Sequence, residues 1–226
     1  MAADNDRALV LLSGGQDSTT CLYWAINRFG VDAVTALSFD YGQRHRIELD
    51  CAANVAMAAG IDHFCLPIDT FAALGGDALT DMSVDVDAAA DTSSGLPNTF
   101  VPGRNLIFLT YAAAFAYRRG IRHLVTGVAQ TDYSGYPDCR EHTLRSLEET
   151  LRLGMEYEFT MHAPLMHRSK KATVELAESL GVLPVMAMTH TCYEGQRPPC
   201  GVCAACRLRA KGFAAAGVAD PLVARS

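Results

Sequence analysis

The sequence lacks the features of several protein classes. None of its 226 residues belongs to an apolar run of the roughly 20 residues that a membrane-spanning helix needs. The first seven residues carry no basic segment ahead of an apolar one, so we expect no secretory signal. Hydrophobic residues make up 50% and charged residues 19%, a composition that supports a sizeable core and excludes global disorder. We expect a cytoplasmic globular protein.

The sequence also has few basic residues. Nineteen Lys and Arg against 25 Asp and Glu give a net charge of −6, which argues against a general nucleic-acid-binding surface. Five of the acids lie between Asp77 and Asp91, a stretch without a basic residue, and the remaining chain carries only −1. The acidity is therefore local, which weakens the argument against nucleic acid. We interpret this segment, which has no periodicity, as a mobile lid.

The eight cysteines are unevenly distributed. Four are scattered, whereas Cys192, Cys200, Cys203 and Cys206 fall in one 15-residue window. A secreted disulfide scaffold would spread its pairs, so a cytoplasmic protein with one metal site fits better. Four thiolates close a tetrahedral shell and leave no open position, which is typical of structural zinc. An iron–sulfur cluster and a set of unligated buried thiols are the alternatives.

Apolar runs alternate with amphipathic stretches, a pattern typical of an α/β protein with a doubly wound parallel sheet. Strands are predicted at 8–12, 33–39, 63–68, 121–127 and 158–161. Helices are predicted at 18–29, 47–59, 105–119, 139–153 and 170–180, with Gly154 and Gly181 ending the last two. The alternation stops near 184–189, so we divide the chain into a nucleotide-binding domain, 1–186, and a small zinc-binding helical appendage, 187–226.

A polar, glycine-rich loop, Ser13 to Ser18 (SGGQDS), joins the first predicted strand to the first helix. This is where a doubly wound sheet binds ligands, and the free N–H groups of a helix start can hold a pyrophosphate. Asp17 would repel phosphates unless Mg²⁺ lies between them, so we interpret it as a metal ligand. Neither the Walker loop nor the dinucleotide fingerprint is present. The alternative is an ordinary Gly-Gly turn with a polar helix cap.

The loop resembles the PP-loop of the ATP pyrophosphatase superfamily, and other segments resemble one member of it, the 7-cyano-7-deazaguanine synthase (QueC) family of queuosine precursor biosynthesis. The segments are SGGQDSTTCL (13–22), FDYGQRH (39–45), PNTFVPGRN (97–105), TGV (126–128), TDYSGYPDCR (131–140) and GVCAAC (201–206) with Cys192. The resemblance implies a fold like that of the adenine nucleotide alpha hydrolases, ATP cleavage between the α- and β-phosphates, and zinc as the bound metal.

We assign nucleotide binding to the loop, the helix that follows it and two further strand ends. The assigned residues are Leu12, Ser13, Gly14, Gly15, Gln16, Asp17, Ser18, Thr19, Thr20, Cys21, Leu22, Phe39 and Gly127. Phe39 ends the second strand, where an adenine could meet backbone groups, although an ordinary strand-end turn is the alternative. Gly127 ends the fourth strand, where a missing side chain would make room for the nucleotide.

Two basic residues complete the predicted catalytic set with Asp17. Arg104 opens a helix and offers a planar fork suited to a phosphate or carboxylate. Lys170 begins a later helix, where the family has a lysine, and could reach a developing phosphate charge. A surface helix cap and a solvated helix start are the respective alternatives.

The stretch 131–140 combines carboxylates with aromatic side chains. A guanine-like base needs an acceptor for its N1–H and exocyclic amine, and a face to stack against. Asp132 or Asp138, together with Tyr133 or Tyr136, could supply both. A solvated loop with helix caps is the alternative.

The resemblance implies a ligase that forms C–N bonds. Its substrates would be ATP with Mg²⁺, 7-carboxy-7-deazaguanine and ammonia, its product the nitrile 7-cyano-7-deazaguanine, and its assembly a homodimer. Three alternatives stay open: a PP-loop enzyme that thiolates or amidates tRNA, a relative that transfers the activated deazaguanine elsewhere, and a non-enzymatic ATP-binding module. The pI near 5.6 speaks against a tRNA partner.

Overall fold

A five-stranded, all-parallel sheet forms the centre of the molecule, with strand order β3-β2-β1-β4-β5. The computed structural model describes residues 6–43, 46–74, 79, 96, 98–130 and 136–224. The strands are β1 (Ala8–Leu11), β2 (Val34–Asp40), β3 (Asp62–Pro67), β4 (His123–Val125) and β5 (Thr160–His162). The predicted doubly wound parallel sheet is confirmed. Except for Leu79, the acidic segment that we interpreted as a lid lies outside the described residues.

Helices cover both faces of the sheet. They are α1 (Gln16–Phe29), α2 (Ile47–Ala59), α3 (Thr70–Leu74), α4 (Arg104–Tyr117), α5 (Glu141–Met155), α6 (Lys170–Ser179) and α7 (Ala204–Ala216). Residues of α1 and α2 share one hydrophobic core with the sheet, and residues of α4 and α5 share the core on the opposite face. A search of the described helices finds none with the length and apolar character needed to cross a membrane.

The central strand β1 explains why the sequence begins with an unbroken apolar run. Leu9 packs into the core beneath α4, and its neighbour Val10 packs into the core beneath α1 and α2. Both side chains are completely buried. A parallel strand covered on both faces needs apolar residues at successive positions, which is the pattern ALVL.

Helix α5 differs from its prediction at both ends. A 3-10 turn, Pro137–Cys139, occupies its expected start, and the helix runs through Gly154 instead of stopping there. Glu156 ends it in the left-handed conformation, with φ of 47°. Met155, next to Gly154, packs against the core beneath α4 and α5, so tertiary contact outweighs the glycine stop signal. By contrast, α2 begins and ends at the predicted residues 47 and 59.

The C-terminal region shares a hydrophobic core with α6, the helix that precedes it. Phe213 of α7 packs with Val174 and Ala177 of α6 and with Met186 in the connecting 3-10 turn, Leu183–Met188. Arg209 of α7 is buried and ion-paired with Asp220, with Nε and Oδ2 2.6 Å apart. The region is thus packed onto α6, and the proposed division at residue 186 stays a prediction.

Candidate active site

The loop between β1 and α1 is held by Ser18. The backbone N–H of Ser13 donates to Ser18 Oγ over 3.2 Å, and this hydroxyl also contacts the carbonyl of Gly15 at 3.2 Å. No side chain caps the start of α1. The first N–H groups of a helix have no partner within the helix, so here they remain available to an anion.

The backbone of α2 leaves no room for a side chain on Gly14. Its φ is +81°, and a Cβ there would lie 2.3 Å from the carbonyl oxygen of Glu48 and 2.7 Å from the backbone nitrogen of Ala52. The loop therefore packs directly on the backbone of α2. From the other side, the N–H of His190 donates to the Gly14 carbonyl over 2.9 Å.

A cavity of about 350 Å³ opens at the carboxyl ends of the strands, beside this loop. Most of the predicted site residues line it: Leu12, Ser13, Gly15, Gln16, Asp17, Ser18, Phe39, Arg104, Gly127, Tyr136 and Lys170. The structure therefore brings the three predicted catalytic residues, which are far apart in the sequence, into one cavity.

Five other residues predicted to bind the nucleotide do not line this cavity. Thr19, Thr20, Cys21 and Leu22 are buried within α1, and Gly14 faces α2. Burial raises the pKa of the Cys21 thiol well above its usual value, and the thiol donates to the Thr126 carbonyl over 3.6 Å. These α1 residues support the loop from behind.

Gly127 lines the cavity and also packs closely against the start of α1. A Cβ there would lie 3.1 Å from the backbone nitrogen of Ser18 and 3.2 Å from the carbonyl carbon of Asp17. The glycine thus lets the end of β4 approach the start of α1, and its role in making room for the nucleotide stays a prediction.

Asp17 and Lys170 form an ion pair across the cavity, with Oδ2 and Nζ 2.6 Å apart. The second carboxylate oxygen of Asp17 is buried and lacks a partner in the part of the chain that the structure describes. That oxygen fits a Mg²⁺ ligand, which was the sequence interpretation. Gly212 of α7 packs behind Lys170: a Cβ there would lie 3.0 Å from Lys170 Cβ.

Aromatic hydroxyls surround Arg104. Its Nη1 donates to the hydroxyl of Tyr41 over 3.2 Å, and its guanidinium carbon lies 5.7 Å from the centroid of that ring. Tyr136 and Tyr193 also lie within electrostatic range of this guanidinium and line the same cavity. The planar cation therefore lies among aromatic hydroxyls that can accept its hydrogen bonds.

Asp138 bonds to the start of α4, and its reading of a base stays a prediction. It is buried and does not line the cavity, and its Oδ2 accepts hydrogen bonds from the backbone N–H and the side-chain amide of Asn105, at 3.0 and 3.1 Å. It thereby fixes the start of α4, next to Arg104. Its predicted neighbours Asp132 and Tyr133 lie outside the described residues, whereas Tyr136 lies at the cavity and bonds to Thr99 Oγ1 at 2.6 Å.

Sequence reasoning missed Glu48. This half-buried residue in the first turn of α2 lines the cavity. Burial raises the pKa of its carboxyl to about 7, and the nearby Arg104 opposes part of that rise. In the sequence, an acid in the first turn of a helix is expected simply to interact with the helix dipole. The one available signal was its position three residues after the FDYGQRH stretch.

The four clustered cysteines can hold a metal ion. Their Sγ atoms all lie within 4.8 Å of one another. The backbone N–H of Cys203 donates to Cys200 Sγ over 3.3 Å, and the N–H of Cys206 donates to Cys203 Sγ over 3.5 Å. Such N–H donors stabilise thiolate charge, so the donor set fits a tetrahedral metal of the zinc type.

Comparison with known proteins decides the family. The model of the family described as "Queuosine biosynthesis protein QueC" matches residues 7–217. The chain belongs to the QueC family. A relative from Chromobacterium violaceum named 7-cyano-7-deazaguanine synthase is 65% identical over 223 residues, which cover 99% of this chain and 95% of the relative. One of the same name from Laribacter hongkongensis is 64% identical, covering 98% and 96%.

A solved structure shares the fold of this QueC-family chain. It is a predicted subunit of a tRNA methyltransferase from Methanocaldococcus jannaschii, with a TM-score of 0.50 and 19% identity, covering 76% of this chain and 74% of that one. At this identity the likeness shows the fold alone.

Proposed function

We propose that the chain converts 7-carboxy-7-deazaguanine, ammonia and ATP into 7-cyano-7-deazaguanine. The observation that carries the proposal is the convergence of the phosphate loop, the Asp17–Lys170 pair and Arg104 on one cavity. That arrangement suits a reaction in which pyrophosphate leaves and a carboxylate is activated. The synthases named among the QueC relatives support the substrate.

The loop accounts for the first step. A carboxylate reacts poorly with nucleophiles because its leaving group would be oxide. Attack of its oxygen on the α-phosphate of ATP forms an acyl-adenylate and releases pyrophosphate, whose charge the N–H groups at the start of α1 stabilise. Lys170, at the same end of the cavity, adds a positive charge. Mg²⁺ bound by Asp17 would supply further charge neutralisation.

The nitrile requires a second activation. Ammonia displaces AMP from the acyl-adenylate and gives an amide. The amide oxygen then attacks the α-phosphate of a second ATP, and loss of AMP from this adduct leaves the C≡N group. One cavity with one loop serves both adenylations, because each is an attack of oxygen on an α-phosphate with pyrophosphate as leaving group.

Arg104 and Tyr136 both line the cavity, which supports assigning them to the substrate. We assign Arg104 to the substrate carboxylate or the α-phosphate, and Tyr136 to the base. Phe39, which stacks on Phe108 with ring centroids 4.7 Å apart, is assigned to the adenine side of the cavity. Asp132 and Tyr133 stay predictions. Asp138 is assigned to positioning α4 through Asn105.

Zinc bound by the four cysteines and Mg²⁺ bound with ATP complete the proposed cofactors. Zinc would join Cys192 to the start of α7, since Cys203 is the helix cap and Cys206 lies in the first turn. Homodimer formation, a cytoplasmic location and the absence of a nucleic-acid partner stay predictions.

A mass-spectrometric assay with 7-carboxy-7-deazaguanine, ammonium and MgATP tests the proposal. We expect the nitrile, with AMP and pyrophosphate, and formation of ADP and phosphate would overturn it. Lys170→Ala should abolish most of this activity, because it removes the cation beside Asp17. Lys171→Ala is the matched control: it changes the next residue, which pairs with Glu175 at the surface over 3.4 Å, and should leave the rate unchanged.

A further inference from the structure

The proposed reaction must remove protons from nitrogen. Ammonia brings three hydrogens, and the nitrile nitrogen carries none. One proton leaves as the C–N bond forms and the C–O bond to AMP breaks, with the bonding electrons passing to the AMP oxygen. Two more leave during the second activation and the elimination of AMP that forms C≡N. Each departure needs an acceptor, so this inference rests on the proposed function and asks which side chain is the base.

Only two carboxylates line the cavity among the described residues, Asp17 and Glu48. Asp17 is occupied, because its Oδ2 lies 2.6 Å from Lys170 Nζ and its other oxygen suits a cation. Glu48 differs: within the described ranges, no hydrogen bond to its carboxylate occurs. His190 also borders the cavity, but it is completely buried and its Nε2 contacts the Cys192 carbonyl at 2.9 Å.

We propose that the Glu48 carboxylate is the general base that accepts the protons from the ammonia-derived nitrogen. Its backbone is fixed, because Gly14 of the phosphate loop packs against the Glu48 carbonyl. Glu48 therefore lines the same cavity as the loop that would hold the phosphates and as Arg104. Between steps, the open cavity lets it pass each proton to water.

The surroundings of Glu48 suit a base that works near neutral pH. Arg104 of α4 faces it and favours its charged form, and burial favours its neutral form more strongly. Tyr193 of the C-terminal segment and Cys51 on the next turn of α2 are the other titratable groups in range. Arg197 donates to Cys51 Sγ over 2.6 Å. The resulting pKa, about 7, matches what general-base catalysis at neutral pH requires.

Glu48→Gln separates the adenylation from the nitrogen chemistry. In the absence of ammonia, we expect a single-turnover burst of pyrophosphate from MgATP and 7-carboxy-7-deazaguanine within about twofold of the parent chain. With ammonia, nitrile formation should fall about 10²- to 10⁴-fold, the usual contribution of a general base. Hydroxylamine, which is unprotonated at neutral pH whereas ammonia is nearly all ammonium, should restore product formation as the hydroxamate.

Two further variants serve as controls for Glu48→Gln. Asp50→Asn, on the same helix but exposed, should leave all three rates unchanged. Glu48→Asp should retain part of the ammonia-dependent rate, and thermal unfolding should show that each variant is folded. At constant free ammonia, the rate in the parent chain should rise with pH to a plateau above about 7, and Glu48→Gln should lose this dependence.

The outcomes distinguish this proposal from the function on which it rests. Unchanged ammonia-dependent activity in Glu48→Gln would overturn the proposal. Loss of its pyrophosphate burst would also overturn it, since Glu48 would then serve nucleotide or substrate binding. Failure of the parent chain to release pyrophosphate at all would instead overturn the proposed function.

Discussion

The buried ion pair between Arg209 and Asp220 predicts a large effect for Asp220→Asn. The carboxylate binds the guanidinium through two hydrogen bonds, Nε to Oδ2 at 2.6 Å and Nη2 to Oδ1 at 2.8 Å. The same guanidinium donates to Thr189 Oγ1 at 2.8 Å and to Thr191 Oγ1 at 3.1 Å. It therefore anchors the segment whose residue His190 bonds to Gly14 of the phosphate loop.

The size of the effect follows from burial. The Arg209 side chain is 4% exposed and the Asp220 side chain 11%, so the substitution leaves a cation without its counter-ion in the interior. Removing one partner of a buried pair typically costs about 3–5 kcal/mol. That is a large part of the 5–15 kcal/mol by which most domains are stable. We also expect weaker ATP binding, because the segment that supports Gly14 loses its anchor.

Urea unfolding followed by circular dichroism measures the loss of stability, and equilibrium titration with ATP measures the loss of binding. Asp32→Asn is a matched control, since it makes the same change at an exposed position and should cost less than about 0.5 kcal/mol. A loss below about 1 kcal/mol for Asp220→Asn, or unchanged ATP affinity in the folded variant, would show that the pair does not anchor the loop.

Three further substitutions or conditions test other parts of the structure. Gly14→Ala should lower the midpoint of thermal unfolding strongly and abolish ATP binding in titrations, since its Cβ would lie 2.3 Å from the Glu48 carbonyl; near-normal binding would refute the packing argument. Cys203→Ser should lose the bound zinc, expected at about one per chain by metal analysis, and retained zinc would exclude this ligand set. Burial and the neighbouring His123 lower the pKa of His162 to about 4, so the unfolded chain binds this proton more readily and the free energy of unfolding should fall as pH drops from about 6.5 towards 4. Urea unfolding at several pH values measures this free energy. In His162→Gln, the fall over the same pH range should be smaller by about 1 kcal/mol, a value reduced because His162 is partly exposed.

Local patterns were enough to predict the sheet and the loop. The ALVL run of β1 and the glycines after α1 and α2 follow from burial and helix-ending rules that act over a few residues. Asp17 could be selected from the loop pattern itself, whereas Arg104 and Lys170, each at a helix start, were selected together with the family resemblance. Parallel strands all end at one edge, so these residues had to meet.

The remaining features depend on contacts between distant segments. Nothing near Glu48 indicates that burial raises the pKa of its carboxyl, because the groups around it come from α4 and the C-terminal segment. The bond between Asp138 and Asn105, 33 residues earlier, does not follow from the local sequence, which shows only an acid beside two tyrosines. In the sequence, Gly212 reads as a residue that destabilises its helix. In the structure, it is the residue of α7 that packs against Lys170.

The C-terminal region lines the candidate active site in addition to packing on α6. Thr191, Tyr193, Ala205 and Leu208 border the cavity. The four-cysteine cluster adjoins these residues in the sequence. Cys192 lies between Thr191 and Tyr193, and Cys206 follows Ala205. We therefore expect loss of a metal from the cysteines to disturb the cavity before it disturbs the sheet, because the strands pack in hydrophobic clusters separate from that of the cysteines. A metal held by the four cysteines would thus fix the segment that bonds to Gly14, and with it the shape of the cavity.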